Sequence, residues 1–190
     1  MICGLVLAAG AGTRFGSEPK LLASVERRPL LERAIAAQCA VPELERVVVV
    51  LGAFSDELLA EVEFGRAVPV LCSDWAAGQS VSLRCGIDAL PGASKVIVTL
   101  GDEPLITAEV IHRFLDLPAG SRAVYDGRPA HPVVLGPAQM QALAALDGDR
   151  GANDLLCGGL EVECSDLASG RDVDTTQDLE EIRNEARAIL

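Results

Sequence analysis

The sequence predicts a single α/β domain in which helices flank both faces of a mostly parallel β-sheet. Short apolar runs of strand length alternate with helical patterns almost from one end of the chain to the other. Some runs are apolar at every position, as in Val47–Val50, which is typical of strands buried on both faces. The 190 residues fit one domain, and no linker, repeat or low-complexity tract divides them. Strands joined by helical crossovers pair in parallel, which gives this architecture.

The first part of the chain predicts two strand–helix pairs. Ile2–Ala8 is a short apolar run closed by glycines and predicts the first strand. Pro29–Gln38 predicts a helix, because proline is favoured at a helix start and the apolar residues that follow it have helical spacing. Arg46–Leu51 contains the run of four valines and predicts the second strand. Ser55–Phe64 predicts the second helix, with Ser55 as its cap and two acidic residues in its first turn.

Two further pairs follow with the same rhythm. Ala67–Cys72 predicts a third strand and Val81–Leu90 the helix after it. Lys95–Leu100 predicts a fourth buried strand. The next helix extends to Leu117, and Thr107 can cap it.

The pattern changes in the C-terminal half, where a short antiparallel element is expected. Two short strands, Ser121–Tyr125 and Val133–Leu135, are separated by the turn-rich stretch Asp126–Pro129. The remaining predicted elements are helices near Pro137–Leu146 and Gly151–Leu156, a strand at Leu160–Cys164 and a last helix at Thr175–Ala188.

Composition excludes several classes of function. Lysine and arginine number 16 against 28 acidic residues, a formal charge of −12, which disfavours nucleic acid and anionic membrane surfaces as partners. No apolar run approaches the length of a membrane span, and the first basic residue is Arg14, so we expect a cytoplasmic protein. The six cysteines form no C-x-x-C pair, so we expect free thiols packed as small hydrophobes rather than a zinc site.

The segment after the first strand predicts a phosphate-binding loop. It contains Gly10, Gly12 and Gly16, which let the backbone approach a ligand and turn its N–H groups toward an anion. Arg14 and Lys20 add two positive charges at the same place, a combination that suits a triphosphate. In open α/β sheets ligands bind beyond the carboxyl ends of the strands, where this loop lies.

Two better-known loops fit less well. A Walker A loop needs Lys-Ser or Lys-Thr directly after its last glycine, whereas Gly16 is followed by Ser17 and Glu18. A dinucleotide-binding loop has the spacing G-x-G-x-x-G and an acidic residue at the end of the second strand. Here the spacing is G-x-G-x-x-x-G, and that strand ends at Leu51 and Gly52 without a carboxylate.

Two aspartates are candidate metal ligands. Asp102 follows the fourth strand at its carboxyl end and should face the same crevice as the glycine loop. Asp174 lies in the extended sequence Asp172–Asp174, where Asp172 and Asp174 would point to one side and Val173 to the other. Mg²⁺ takes one or two protein carboxylates and completes its shell with phosphate oxygens and water, so Asp102 and Asp174 suit it. Asp172 or Asp174 could instead cap the last helix.

An ordered set of motifs resembles a known family. Leu-Ala-Ala-Gly-x-Gly-x-Arg-x-Gly, followed by Pro19–Leu22, is similar to the signature of nucleotidyltransferases of the molybdenum cofactor cytidylyltransferase type. The resemblance continues, in the family's order, at Trp75–Arg84, Gly101–Leu105, Arg128–Pro132, Gly148–Ala152 and Asp172–Thr175. One departure is Glu103, where members more often carry Gln or Met. An extra carboxylate there could alter metal or acceptor binding.

The resemblance implies a Rossmann-like, GT-A-like nucleotidyltransferase domain. Residues 1–105 would form its nucleotide-binding half and residues 106–190 its acceptor-binding half. It assigns nucleotide binding to Leu7, Ala8, Ala9, Gly10, Gly12, Arg14, Lys20, Gly78, Ser80 and Ser82. The bond-forming step would depend on Lys20, Arg14 and Asp102.

The acceptor-side residues are Arg84, His131, Arg150 and Gly151. Arg84 could reach the acceptor or pair with a surface carboxylate, and the resemblance puts His131 beside the acceptor. Arg150 and Gly151 open a predicted short helix whose N-terminus could bind a phosphate, although neighbouring aspartates could simply cap it.

The activity implied is Mg²⁺-dependent transfer of CMP from CTP to the terminal phosphate of the molybdenum cofactor pterin, with release of pyrophosphate. A molybdoenzyme or its maturation chaperone is a possible protein partner. Two alternatives stay open: a guanylyltransferase or another transferase that joins a nucleotide to a phosphate, and a non-catalytic carrier of the cofactor.

Overall fold

A seven-stranded mixed sheet organises the chain. The computed structural model describes residues 1–145, 152–156 and 159–189. The strands are β1 (Ile2–Ala8), β2 (Ser24–Val25), β3 (Arg28–Pro29), β4 (Arg46–Leu51), β5 (Val68–Leu71), β6 (Lys95–Leu100), β7 (Arg122–Tyr125), β8 (Arg128–Leu135) and β9 (Glu161–Glu163). The α-helices are α1 (Leu30–Cys39), α2 (Ser55–Glu61), α3 (Gln79–Asp88), α4 (Ala108–Arg113), α5 (Pro137–Ala142) and α6 (Thr176–Ile189). Turns of 3₁₀ helix occupy Lys20–Leu22, Trp75–Ala77, Leu143–Ala145 and Ala152–Leu155.

The strand order in the main sheet is β5-β4-β1-β6-β8-β7-β9. β5, β4, β1 and β6 pair in parallel, and β9 pairs in parallel with β7. Only β8 runs antiparallel to its neighbours β6 and β7 within this sheet. The mostly parallel sheet with a short antiparallel element in the C-terminal half is therefore confirmed.

Alternating side chains of β1 fill a core on each face of the sheet. Val6 and Ala8 belong to one buried cluster, which also includes residues of α1, α2 and α4. Leu5 and Leu7 belong to the other, which includes Leu83 of α3. The strand is thus buried on both sides, and this explains why its sequence is almost continuously apolar.

A third cluster holds the last helix against the N-terminal part of the chain. Val25 of β2, Leu105, Val173 and Ile182 of α6 are buried together. The Arg183 Nε–H also donates to the carbonyl of Ser24 at 2.9 Å. The segment that precedes α6 is thereby fixed beside the loop that follows β6.

The sequence patterns predict the first of two hairpins with too short a second strand, and they do not predict the other hairpin. β7 and β8 are joined by Asp126 and Gly127, both with positive φ, so the connection is a two-residue turn. β8 consequently begins at Arg128 and not at Val133, so His131 lies within this strand and not between the two expected strands. The small hairpin β2–β3 turns at Glu26 and Arg27, again with positive φ. This turn contains no glycine, and its sequence carries no hairpin signal.

The helices α2 and α4 are shorter than the patterns suggest, whereas α1, α3 and α6 have the expected length. The helix expected at Ser55–Phe64 ends at Glu61, and its cap position is Phe54 with a φ of 56°, not Ser55. The helix expected to reach Leu117 ends at Arg113, although Thr107 does cap it by accepting from the Val110 N–H. No helix among the described residues combines the length and the hydrophobicity that a membrane span requires.

Candidate active site

The carboxyl ends of β1 and β6 bring the glycine loop next to Asp102. The two strands are direct neighbours in parallel register, with Leu7 opposite Leu100, and the Gly101 N–H donates to the Leu7 carbonyl. The loop that follows β1 therefore starts beside Asp102, which comes two residues after β6 ends.

A backbone hydrogen bond brings the second aspartate to the same place. The Val173 N–H donates to the Asp102 carbonyl at 3.0 Å, and the Val173 side chain is fully buried. Asp174 does not cap α6, because Thr175 and Asp178 do so reciprocally. The Asp178 carboxylate accepts from the Thr175 N–H, and the Thr175 hydroxyl accepts from the Asp178 N–H. The Asp174 carboxylate is thus left to face the glycine loop.

Lys20 joins the two aspartates. Its ammonium donates to Asp102 Oδ2 at 2.7 Å and reaches Asp174 Oδ1 at 3.5 Å. Its side chain is only 9% exposed, so the charge is paired in a largely water-excluded place. Gly12 covers the lysine stem with a φ of +58°, and a Cβ at that position would lie 3.1 Å from Lys20 Cβ. The conformation and the close approach both favour glycine there.

Arg14 completes the charged group from the solvent side. Its guanidinium pairs with Asp174 Oδ2 at 2.7 Å, while its side chain is 74% exposed. The structure therefore brings together Lys20, Arg14, Asp102 and Asp174, which come from the two ends and the middle of the chain.

A cavity of about 320 Å³ opens beside this group. It is lined by Leu7, Ala9, Gly10, Trp75, Ala76, Gly78, Gln79, Ser82, Leu100 and Asp102. A smaller space of about 70 Å³ shares Leu7, Gly10 and Asp102 with it and reaches Ala8, Gly12, Lys20 and Leu21. The two spaces form a continuous surface from the 3₁₀ turn at Trp75 to the Lys20 ammonium.

Most residues expected to bind nucleotide line one of these spaces, and two, Arg14 and Ser80, do not. Ser80 is fully buried and lines neither, and its hydroxyl has no hydrogen-bond partner among the described residues. Trp75 and Gln79 line the larger space although sequence reasoning did not select them. Two features of the sequence point to Trp75: it is the only tryptophan of the chain, and it begins one of the motifs that resemble the family.

A buried ion pair lies directly behind Asp102. His131 Nδ1 is 3.0 Å from Glu103 Oε1, and both residues are less than 8% exposed. Burial raises the pKa of Glu103. Burial lowers the pKa of His131, but the carboxylates of Glu103, Asp102 and Asp172 together raise it, so the net change is upward. The second oxygen of Glu103 has no partner among the described residues.

The other residues expected on the acceptor side are not gathered in one place. His131 is buried against Glu103 rather than open to a cavity. Arg84 donates to the Leu143 carbonyl and lines a different cavity, which it shares with Cys72 and Cys85. Arg150 and Gly151 lie outside the described residues.

A polar cavity of about 570 Å³ lies on the C-terminal side of the site. It is lined by Tyr125, Asp126, Arg128, Pro129, Ala130, Ser169, Gly170, Arg171, Asp172, Asp178 and Glu185. Asp172, which lines this cavity, is two residues from Asp174 in the sequence, so the cavity adjoins the charged group. Arg171 is paired with Glu181 and Glu185, whereas Arg128 is exposed at the start of β8.

The donor set at the carboxylates suits a hard divalent cation. Asp102 and Asp174 both lie within reach of one ammonium, so the two carboxylates are on the same side of the site. Among the described residues, no group of three or more His, Cys, Asp or Glu side chains forms a ready-made metal site. Two carboxylates with an incomplete shell fit Mg²⁺ or Mn²⁺ better than zinc, which prefers a closed set of protein ligands.

Comparison with known proteins relates the chain to one family. The family described as the MobA-like NTP transferase domain matches residues 4–162. Nicotine blue oxidoreductase from Paenarthrobacter nicotinovorans is 31% identical, with 94% of each chain covered. The crystal structure of an Rv0371c homologue from Mycobacterium sp. strain JC1 has a TM-score of 0.81 and 28% identity, covering 100% of this chain and 98% of that one. The crystal structure of Rv0371c from Mycobacterium tuberculosis in complex with manganese has a TM-score of 0.75 and 24% identity. The match covers 96% of this chain and 98% of that one.

Proposed function

The chain belongs to the MobA-like NTP transferase family, and we propose that it transfers CMP from CTP to the terminal phosphate of the molybdenum cofactor pterin, releasing pyrophosphate. The observation that carries the proposal is the Lys20 ammonium held between the Asp102 and Asp174 carboxylates at the end of β1 and β6. A simple carrier of the cofactor has no need for this arrangement beside a glycine loop.

The cavity beside Asp102 supports a nucleoside site. Its volume of about 320 Å³ lies within the range of ligand pockets. Trp75 offers an aromatic surface, and the Gln79 amide can donate to and accept from a base. The sequence Ala8-Ala9-Gly10 in its wall also resembles the cytidylyl branch of the family more than the guanylyl branch.

The charged group supports a reaction that is driven by positioning and electrostatics. An acceptor phosphate oxygen attacks the α-phosphorus in line, and pyrophosphate leaves on the opposite side. The acceptor is already anionic, so no strong general base is needed. The barrier is repulsion between two anions and charge that builds on the leaving group, so Lys20 stabilises charge near the α-phosphate while Arg14 holds the β- and γ-phosphates.

Asp102 and Asp174 would hold Mg²⁺. Bound there, the ion would neutralise phosphate charge as a Lewis acid. The manganese complex of the mycobacterial structure with the same fold supports a divalent cation in this type of protein.

The polar cavity next to Asp172 supports the position of the acceptor. It adjoins the carboxylates, and the exposed Arg128 at its rim can pair with a phosphate. This assignment differs from the acceptor residues expected from sequence, of which His131 is buried and Arg84 faces another cavity.

A nucleotide competition tests the proposal. Purified chain, molybdenum cofactor and Mg²⁺ are incubated with CTP, GTP, ATP or UTP, and pyrophosphate release is measured. We expect release with CTP at the highest kcat/KM. Release with another nucleotide at higher kcat/KM would replace CTP, and no release with any of the four would overturn the transferase assignment.

One observation favours a second candidate, an oxidoreductase. The relative that matches nearly the whole chain at 31% identity is named as one. Against this, β4 ends at Leu51 and Gly52 without the carboxylate that holds the ribose of a dinucleotide. Oxidation of a reduced nicotinamide cofactor in the presence of nicotine blue would support the second candidate. We expect no oxidation above the rate without protein.

A further inference from the structure

Two cysteines, Cys72 and Cys85, flank the segment that forms one wall of the cavity beside Asp102. Cys72 directly follows β5, and Cys85 lies in α3. Both line a cavity of about 270 Å³ together with Asp74, Arg84 and Asp88. The Cys85 thiol donates to the Leu71 carbonyl at 3.7 Å, so it lies beside the peptide unit that joins Leu71 to Cys72.

The two side chains are neighbours. The Leu71 carbonyl belongs to the same peptide unit as Cys72, so Cys85 Sγ lies within about 6.5 Å of Cys72 Cα. A disulfide would require the two sulfurs to approach to about 2.05 Å. The thiols are free in this structure.

The segment between the two cysteines forms one wall of the proposed nucleotide site. Residues 73–84 include Trp75, Gly78, Gln79 and Ser82, all of which line the cavity beside Asp102. A Cys72–Cys85 disulfide would close this segment into a covalent loop.

The packing of α3 determines which side would move. Gly86, next to Cys85, is pressed against the sheet, since a Cβ there would lie 2.5 Å from Leu5 Cδ1 and 2.9 Å from Val50 Cγ2. The helix cannot approach the sheet further at this point. Bringing the two sulfurs to bonding distance would therefore displace the strand end at Cys72 and the Trp75 turn that follows it.

We propose that Cys72 and Cys85 form a reversible disulfide that distorts the nucleotide cavity and weakens nucleotide binding. The formation of the bond is independent of the proposed function, whereas its effect on nucleotide rests on that function. Oxidation at this site would link the activity of the protein to the thiol–disulfide balance of its surroundings.

A small-molecule disulfide such as oxidised glutathione supplies the oxidant. The thiolate of Cys85, the more exposed of the two cysteines, attacks one sulfur of the oxidant and forms a mixed disulfide, releasing one glutathione thiolate. The Cys72 thiolate then attacks the Cys85 sulfur and releases the second glutathione. The two protein thiols lose two protons and two electrons, and one molecule of oxidised glutathione becomes two of the reduced form.

The surroundings of Cys85 make this exchange slow at neutral pH. Burial and the neighbouring Cys72 raise the pKa of Cys85 to about 11. Asp74 and Asp88 also face the cavity and oppose a thiolate there, while Arg84 favours it. The pair therefore responds to sustained oxidation rather than to brief exposure.

Four readouts test the proposal on the 190-residue chain. The native protein is incubated with oxidised glutathione, and free thiols, intact mass, Trp75 fluorescence and Mg²⁺–CTP binding are measured before and after reduction with dithiothreitol. We expect loss of two of the six thiols, loss of the mass of two hydrogen atoms, a change in fluorescence and a Kd for CTP raised about tenfold, all reversed by the reductant.

Variants separate the possible outcomes. Cys85→Ser, Cys72→Ser and Cys72→Ala should not form the internal disulfide, while Cys39→Ser, at the end of α1, should behave like the natural chain. If the thiols of Cys72 and Cys85 both stay free after oxidation, or if the disulfide maps to other cysteines, the proposed disulfide site is wrong. A Cys72–Cys85 disulfide that leaves the Kd for CTP unchanged would overturn its effect. If the reduced chain does not bind CTP at all, the proposed function fails, while mass and fluorescence still decide the disulfide.

Discussion

The buried ammonium of Lys20 is the single group on which the site most depends. It is 9% exposed and paired with two carboxylates that come from positions 82 and 154 residues away along the chain. A lysine is costly to bury without partners, so these carboxylates fix where its charge lies. In the proposed function, this charge stabilises the triphosphate beside the glycine loop.

Replacing either member of the closest pair, Lys20 or Asp102, should strongly reduce turnover without unfolding the protein. We expect Lys20→Met and Asp102→Asn each to lower kcat by about 10²–10³, because each removes a fixed electrostatic contact in the transition state. Pyrophosphate release with saturating CTP measures the effect. The matched surface variants Arg46→Met and Asp116→Asn should retain full activity. Near-normal kcat in Lys20→Met or Asp102→Asn would contradict the assigned roles.

The buried pair of Glu103 and His131 should make stability depend on pH. Both groups have raised pKa values in the folded chain, so the folded state binds more protons than the unfolded state above the ordinary values of 4.5 and 6.5. The free energy of unfolding should therefore fall as pH rises from about 5 to 8. In Glu103→Gln the imidazole loses its charged partner, and this slope should be smaller.

Urea unfolding at several pH values measures this slope. The exposed carboxylates with lowered pKa values, such as that of Asp166, titrate below this range and do not disturb it. A natural chain whose stability is constant or rises over the interval would show that the pair does not behave as described.

At the scale of elements, the position of α3 determines the shape of the nucleotide cavity. The helix begins at Gln79 with two residues that line the cavity, Gln79 and Ser82, and packs on β1 and β4 through Gly86. The absence of a side chain at Gly86 allows this close approach. A glycine within a helix costs about 1 kcal/mol relative to alanine, so its presence here indicates a packing requirement.

Gly86→Ala should destabilise the fold despite its better helix propensity. The new Cβ would meet the fully buried side chain of Leu5, and overpacking of this kind costs about 1–3 kcal/mol. We expect a lower free energy of unfolding and weaker CTP binding, since α3 must move. The double variant with Leu5→Val should be less destabilised than the two single changes added together. Strict additivity would show that the two residues do not compete for space.

The buried elements were predictable from sequence, while the turns between them were only partly so. β1, β4 and β6 have the expected bounds, because each is an apolar run buried on both faces and closed by polar or glycine residues. The hairpin at Asp126 and Gly127 carried the Asp-Gly signal of a two-residue turn, but the prolines in the strand that follows obscured it. The hairpin at Glu26 and Arg27 has no such signal, and α6 packing on β2 stabilises it.

The candidate site was predictable where local sequence places a residue at a strand end. Asp102 and the glycine loop follow from that rule, because the carboxyl ends of neighbouring parallel strands meet. Asp174 was open to a second interpretation, and the choice was made by Thr175 and Asp178, which cap α6 instead. The polar cavity near Arg128 could not be foreseen, because it depends on how β8 lies against residues 169–172.

At the scale of the whole molecule, the net charge of −12 opposes the binding of an anionic nucleotide. An acidic chain repels a triphosphate over most of its surface, so binding depends on local cations. Lys20 and Arg14 supply two, but both are already paired with Asp102 and Asp174. We therefore expect strong nucleotide binding only when a divalent cation offsets the carboxylates.

Calorimetric titration of CTP into the chain, with Mg²⁺ and then with EDTA, tests the site most directly. We expect saturable binding with Mg²⁺, and loss of most of that affinity both in EDTA and in Asp102→Asn. Equal affinity for CTP with and without the cation, or undiminished binding by Asp102→Asn, would contradict a metal–triphosphate site built from Lys20, Asp102 and Asp174.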